Sequence, residues 1–304
     1  PKLLELFPMA RGVTNQKCQG FLQELLPLSA DKFIIIKDRE TLSLGDKTLE
    51  FILAPWVHWP ETMFTYLRED QILFTCDFTG SHLATSELFA EDDERTADSA
   101  KRYFAEIMMP FRTSINSHLA KIKDLPLKMI APSHGPVYGK PAPILSAYGE
   151  WSSDRVKNEV VIPYVSMHGS VKVMTDHLIG RLIERGIEVK PFDLPKTDLG
   201  ELAKALVDAA TVVVGTSTIL SGAHPLAANA AFLINALRPK TRYFSLIGSF
   251  GWGGKMVEQI TGLLSGLKVE IIPPVMAKGA PKEADFLALD QLAETIFNKH
   301  KEII

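Results

Sequence analysis

An α/β fold in two domains is what this sequence predicts, and three observations predict it. The chain has 304 residues and 46% hydrophobic content, too long for one small core and ample for two. Its first half crowds short β-rich runs together, whereas from about residue 160 the rhythm becomes strand, helix, strand, helix. Between the two rhythms lies the polar stretch Ser152-Ser153-Asp154-Arg155-Val156-Lys157-Asn158-Glu159, so the predicted domains are 1–151 and 152–304.

In the first half, apolar residues over 3–26 recur at roughly helical spacing, with Gly12 breaking the pattern. Phe33-Ile34-Ile35-Ile36 and residues 48–53 read as strands, with Leu44-Gly45-Asp46-Lys47 as the turn between them. A hairpin follows, Phe64-Thr65-Tyr66-Leu67 and Gln71-Ile72-Leu73-Phe74-Thr75, folded around Arg68-Glu69-Asp70. The acidic segment 87–98 reads as a solvated loop. A long helical pattern over 96–122 contains Pro110, which predicts a break there. One more strand is expected at 128–131 and a helix at 142–151.

The second half predicts a doubly wound, five-stranded parallel sheet. Strands are expected at 160–165, 188–192, 211–215, 242–247 and 269–272, with helices at 171–185, 199–210, 226–237, 254–264 and 283–301. The first strand is a continuous apolar run fit for burial on both faces.

A net charge of -3 with evenly mixed signs gives no footprint for nucleic acid or an anionic membrane. Two cysteines, Cys18 and Cys76, make neither a disulfide framework nor a four-thiolate metal site. That predicts a cytoplasmic setting and no rubredoxin-type iron in this chain. Apolar runs fall far short of the ~20 residues that span a bilayer. The chain opens at Pro1 on what reads as a helix already under way, which predicts that this is not the start of the gene.

In a doubly wound sheet, ligands collect at the carboxyl ends of the strands. Three segments stand there. Ser166-Met167-His168-Gly169-Ser170-Val171 follows the first strand and offers hydroxyls, a glycine and the amides of a new helix, either as a phosphate cradle or as an ordinary turn with an N-cap serine. Gly215-Thr216-Ser217-Thr218-Ile219-Leu220-Ser221-Gly222 follows the third strand and is small and hydroxyl-rich. After the fourth, Gly248-Ser249-Phe250-Gly251-Trp252-Gly253-Gly254 sets two aromatics among four glycines, which suits a flat ring against the backbone better than core filling. His168 and His224 lie near these loops. No G-x-G-x-x-G fingerprint is present in them, so direct NAD binding is not expected.

In the first half, His58, Asp77 and His134 each sit just past a hydrophobic strand-like run. A lone histidine is usually packed or solvated; three such positions together make a ligand set worth considering. His118, His177 and His300 lie on helical patterns that read as solvated.

Taken together, the SMxG turn, the third-strand loop and GSFGWGG resemble the flavodoxin-like domain of flavodiiron proteins, also called A-type flavoproteins. His58-Trp59-Pro60-Glu61-Thr62-Met63, Asp77-Phe78-Thr79-Gly80-Ser81-His82 and Pro132-Ser133-His134-Gly135 resemble the metal-binding segments of that family's metallo-β-lactamase-like module. The resemblance implies an αββα sandwich followed by a flavodoxin-like domain. It implies FMN held by residues 166–171, Thr216, Ser217, Thr218, Ser249, Phe250, Gly251, Trp252 and Gly253, with Trp252 flanking the ring. It further implies two irons, one on His58, the other on His134, bridged by Asp77. His82 falls near the substrate pocket, as a catalytic residue or a supporting one. Val171 stands where flavodoxin-type loops usually carry threonine, and Ser217 where the family commonly has proline.

By resemblance, the reaction is reduction of O2 to water or of NO to N2O. Electrons would come from a rubredoxin-like protein, a reduced deazaflavin or a nicotinamide system, in a head-to-tail homodimer. The family's H-x-E-x-D-H motif is absent from these residues. The sandwich is therefore expected to be partial, lacking its first strands and half its iron ligands, through truncation of the sequence or supply by a separate polypeptide. Two other expectations remain open: an FMN electron carrier with a metal-poor first domain, and a zinc hydrolase of the metallo-β-lactamase type.

Overall fold

The computed structural model describes every residue of the chain except Pro27, Asp92 and Ile304. It divides into two compact units, Pro1–Ser153 and Asp154–Ile304.

The first unit runs α1 (Lys2–Leu6), β1 (Gly12–Thr14), α2 (Gln16–Leu25), β2 (Phe33–Ile35), β3 (Thr41–Ser43), β4 (Thr48–Leu53), β5 (Met63–Leu67), β6 (Ile72–Cys76), α3 (Glu94–Tyr103), α4 (Arg112–Ile122), β7 (Met129–Pro132) and α5 (Pro141–Ser152). Gly12 does more than interrupt a helix: it opens β1, which pairs in parallel with β2. The 44–47 turn joins β4 to β3, a short polar strand that the periodicity did not show. Pro110 stands in a 3-10 turn, Met109–Phe111, after a π-helical stretch, Phe104–Met108, as its missing N–H requires a break in the α ladder. The expected acidic loop is half helix, since Asp93 caps α3 by accepting from Thr96 N at 2.7 Å; Asp92 lies outside the described residues.

Strands β3-β4-β5-β6-β7 form one sheet. Its face bearing Ile52, Phe64, Leu73 and Ile130 is fully buried. Phe64 stacks on Phe78, which meets Tyr148 of α5, and Tyr148 meets Phe104 and Trp151. On the opposite face Leu67 and Met129 are only partly covered and Phe74 is 44% exposed, so an apolar surface remains open among the described residues.

The second unit runs β8 (Lys157–Tyr164), α6 (Ser170–Ile183), β9 (Glu188–Asp193), α7 (Leu199–Leu206), β10 (Ala209–Ile219), β11 (Gly222–Ala223), α8 (Pro225–Leu237), β12 (Tyr243–Phe250), α9 (Met256–Gly262), β13 (Glu270–Ile271), β14 (Val275–Lys278) and α10 (Glu283–Lys301). The parallel order β13-β12-β10-β8-β9 places the first strand between the second and third, with the switch point between β8 and β10. The fifth strand is split: β13 and β14 both pair with β12, and Pro273-Pro274 between them can donate nothing to the ladder. Val160, Ile162, Met174, Leu178, Leu289 and Ile296 form the core between β8, α6 and α10.

Two histidines expected in solvent are buried. His118 is 4% exposed and its Nε2 donates to Pro55 O at 2.8 Å. His300 is 2% exposed, with Nδ1 donating to Asn158 Oδ1 at 2.8 Å and Nε2 accepting from Thr211 Oγ1 at 2.7 Å. Helical periodicity shows which face a residue takes, but not that a polar partner waits on the buried face. His177 is half-buried, its Nε2 2.7 Å from Asp290 Oδ1.

Candidate functional site

His58 stands in the loop between β4 and β5, which is closed on itself. Ala54 N donates to Thr62 O at 2.9 Å, Trp56 N to Trp59 O at 2.8 Å, and Thr62 Oγ1 to the same Trp59 carbonyl at 3.0 Å. Val57, fully buried, pegs the loop to the core, and His58 emerges beside Trp59 and Phe111. Asp77 begins the turn after β6, held by Phe78 N to Thr75 O and Gly80 N to Asp77 O, each 3.1 Å. His134 follows β7, and its loop is bonded to the Asp77 loop twice: Ser133 N to Cys76 O at 2.7 Å, and Ser81 N to His134 O at 3.1 Å. Gly135 permits this approach. Its φ is +82°, and a Cβ there would collide with Ser81 Oγ.

These loops bring the three sequence-predicted residues together. His58 Nε2 lies 3.4 Å from Asp77 Oδ2, and His134 Nε2 lies 3.3 Å from Asp77 Oδ1. Each imidazole thus takes its own carboxylate oxygen. Both separations exceed a good N–H···O hydrogen bond. They match instead the ~3.0–3.4 Å between neighbouring ligands that each stand about 2.1 Å from one metal. A carboxylate used by both oxygens and one neutral imidazole per side is the donor chemistry of a bridged pair of borderline metal ions. The number of donors is short: these residues would offer each of two metals only two protein ligands, and among the described residues no group of three or more His, Cys, Asp or Glu side chains is set to hold an ion. The residues fit half of a two-metal site.

His82 lies beside this group. Its ring is edge-on to Tyr103 at 4.8 Å and 5.9 Å from the His134 ring, and its Nδ1 is 3.9 Å from Glu106 Oε2. Glu106 in turn accepts from Arg102 Nε at 3.0 Å. Tyr103 also contacts the His134 ring at 5.8 Å. Burial and the nearby Asp77 charge push its phenol far up, so the hydroxyl stays protonated. Sequence reasoning missed Tyr103 and Glu106, which only the fold brings against the motif residues.

In the second unit the predicted residues stand at the carboxyl ends of adjacent strands. After β8, Ser166 is half-buried and its Oγ accepts from Lys172 N at 3.2 Å, while Met167 and His168 are exposed. Gly169, at φ +86°, precedes α6 and has no side chain to cap it; with Lys172 N taken by Ser166 Oγ, the amides of Ser170 and Val171 are left for an anion. Ser170 is the first helical residue. Val171 is buried, and a Cβ on Gly215 would lie 3.2 Å from its Cγ1, so only its backbone can face a ligand.

Thr216, Ser217 and Thr218 are not on a loop, as expected from sequence; they continue β10, where Thr216 pairs with Gly248 and Ser217 with Ser249. Ser249 and Phe250 likewise extend β12, and Phe250 pairs with Lys278. The glycines make the extension possible: a Cβ on Gly248 would stand 2.7 Å from Met256 Cε and 2.9 Å from Thr216 O. Most hydroxyls here are engaged. Thr216 Oγ1 accepts from His224 N at 3.1 Å, Thr218 Oγ1 faces Met256 Sδ at 3.8 Å, and Ser249 Oγ donates to Gly279 O at 2.7 Å. Ser217 Oγ is the exception, a buried hydroxyl with no partner. Gly251, Trp252 and Gly253 are exposed, Trp252 at 74%. His224 caps α8, its Nδ1 accepting from Leu226 N at 3.1 Å. An orphaned hydroxyl, uncapped amides and an exposed indole on neighbouring strand ends fit a phosphate-bearing flat cofactor.

The model of the ODP family beta lactamase matches residues 1–135. A nitric oxide reductase of Moorella thermoacetica is 34% identical over 305 residues, covering 97% of this chain and 76% of the relative. The rubredoxin oxygen:oxidoreductase of Desulfovibrio gigas superposes with a TM-score of 0.91 at 26% identity, over 95% of this chain and 74% of its own. A flavodiiron protein of Giardia intestinalis gives 0.83 at 25% identity, over 94% and 74%. The chain belongs to the flavodiiron protein family. Its first unit is the metallo-β-lactamase-like part and its second the flavodoxin-like part. Among the described residues of this flavodiiron protein, no helix is long and apolar enough to cross a membrane.

Proposed function

We propose that this chain is a flavodiiron oxidoreductase that reduces O2 to water, NO to N2O, or both, with His58, Asp77 and His134 as metal residues. The observation that carries the reading is the pair of contacts in which each imidazole nitrogen faces a different oxygen of Asp77. The names of the relatives, a nitric oxide reductase and an oxygen oxidoreductase, support the choice of substrates. FMN, held by the strand-end residues of the second unit, would supply one-electron transfer between an external donor and the metals. The donor is a rubredoxin-like protein or another reduced carrier, the assembly a head-to-tail homodimer, and the setting cytoplasmic.

The chain's own residues do three things in this scheme. Asp77 presents one carboxylate oxygen to each imidazole, so that His58 and His134 would each hold a cation together with it. Tyr103, kept as a neutral phenol, braces the His134 and His82 rings and leaves no second anion beside Asp77. His82, partly exposed and near Glu106, stands between solvent and the centre, where reduction of either gas consumes protons. In the second unit, Trp252 and the uncapped start of α6 bind the ring and the phosphate.

The test is composition plus one substitution. About two irons and one FMN per chain, with O2 or NO consumption lost in His134→Ala while FMN is retained, are the expected results. Unchanged turnover would sink the metal assignment. The ligand shortfall favours one rival, an FMN electron carrier with a metal-poor first unit; FMN without stoichiometric iron would decide for it.

A further inference from the structure

One polar side chain interrupts an apolar face in the first unit. Phe111, at the start of α4, and Ile115, His118 and Ile122 within it follow the spacing of a single helix face, and the last three are buried. His118 Nε2 donates to Pro55 O at 2.8 Å, whereas Nδ1, buried as well, has no hydrogen-bond partner among the described residues. Burial pushes the imidazole pKa down, so the ring is neutral and its one proton lies on Nε2. Leaving a buried ring nitrogen unpaired is costly, and an aliphatic side chain on this face would carry no such cost. What the histidine adds is a single N–H aimed at Pro55.

Pro55 lies shortly before His58 in the loop between β4 and β5. The helix holds the entry to that loop twice, because Lys121, one turn on from His118, donates from Nζ to Leu53 O at 2.8 Å. Lys121 is partly exposed, so the buried bond from His118 is the firmer anchor. Asn15 Nδ2 holds the exit through Glu61 O at 2.6 Å. The same helix face reaches the metal residue itself, since the Phe111 ring lies 6.3 Å from that of His58. A second path leads to the next loop: His118 is edge-on to Phe64 at 6.2 Å, Phe64 stacks on Phe78 at 5.3 Å, and Phe78 follows Asp77. One buried side chain is thus tied to both loops whose tips, His58 Nε2 and Asp77 Oδ2, stand 3.4 Å apart. Resting on the metal role given to His58 above, we propose that His118 is a positioning residue, whose N–H fixes the Pro55 carbonyl and thereby the place at which His58 meets Asp77. Groups that orient metal ligands from behind are worth about 10–100-fold in metal affinity.

Cobalt(II) is the probe, with its visible absorption as readout and FMN content as the control on folding. His118→Phe keeps a ring against Phe64 and deletes the donor, whereas His118→Gln keeps an N–H near the place of Nε2. Ile122→Val loosens the same helix face and leaves the imidazole. In the whole chain, the cobalt dissociation constant should rise about tenfold or more in His118→Phe, stay within about threefold of wild type in His118→Gln, and stay unchanged in Ile122→Val. Without metal, amide exchange across residues 54–62 should quicken in His118→Phe and not in the other two. Wild-type cobalt affinity in His118→Phe overturns the proposal. So does a loss of the same size in His118→Gln or Ile122→Val, which would make His118 a packing residue and no more. If the wild-type protein takes up no cobalt, the metal assignment itself fails, and the positioning role with it.

Discussion

In the first unit the candidate ligands meet each other, whereas in the second the candidate flavin residues meet mainly backbone. His58 and His134 face Asp77 at 3.4 and 3.3 Å across loops that are bonded to one another. At the strand ends of the second unit, Met167 is 52% and Trp252 74% exposed, and what is fixed is the ladder between β10 and β12. A centre of concentrated charge needs side-chain donors held to fractions of an ångström; a flat cofactor with a phosphate needs amides, an edge and a face. Side-chain changes should therefore dominate at the first site and backbone changes at the second.

The largest effect expected is from Asp77→Ala. It removes the carboxylate that both imidazoles face, so iron binding and turnover should fall by about 100-fold or more, with FMN content unchanged. Metal analysis and gas consumption check this. Retained iron would mean that the imidazoles act separately and would remove the distinction drawn between the sites.

Gly135→Ala comes next, as a backbone change at the side-chain site. Its left-handed φ and the collision with Ser81 Oγ should together cost about 2–4 kcal/mol, and the shift of His134 should weaken metal binding. Denaturant unfolding with iron titration gives both numbers.

How much of this was legible beforehand follows from the same distinction. The five parallel strands were readable because apolar runs such as 160–165 alternate with helical patterns, and His58, Asp77 and His134 could be singled out as candidates because each follows a strand-like run. Thr216, Ser217, Ser249 and Phe250 were misplaced onto loops, since glycine-rich segments read as turns while the structure uses the glycines for close strand packing. Tyr103 and Glu106 could not be read at all: a tyrosine on an apolar helical face looks like core. β1 and β3 are three residues each, too short for any periodicity to show.

His300 gives a prediction within the second unit alone. Burial pushes its imidazole down to about 4, from an ordinary 6.5. The unfolded chain therefore takes up the proton first as pH falls, so the stabilising contribution is complete above pH 6.5 and is lost between 6.5 and about 4. The loss should amount to no more than about 3 kcal/mol. In His300→Gln the unit should be less stable at neutral pH, through the weakened bond to Thr211, yet flatter with pH across that window. An unchanged acid slope in the variant would assign the slope to another group.

The smallest effect expected is from Gly169→Ala, and it forms a pair with Gly135→Ala. Both glycines have left-handed φ, +86° and +82°, but a Cβ at Gly169 would meet nothing within 4 Å. Only the conformational cost remains, about 1–2 kcal/mol, without a steric one. Thermal unfolding of the second unit should register that drop while iron content stays constant. A loss as large as that of Gly135→Ala would show that the opening of α6 is as tightly set as the His134 turn. The contrast between a site held by contacts and one held by an open backbone edge would then disappear.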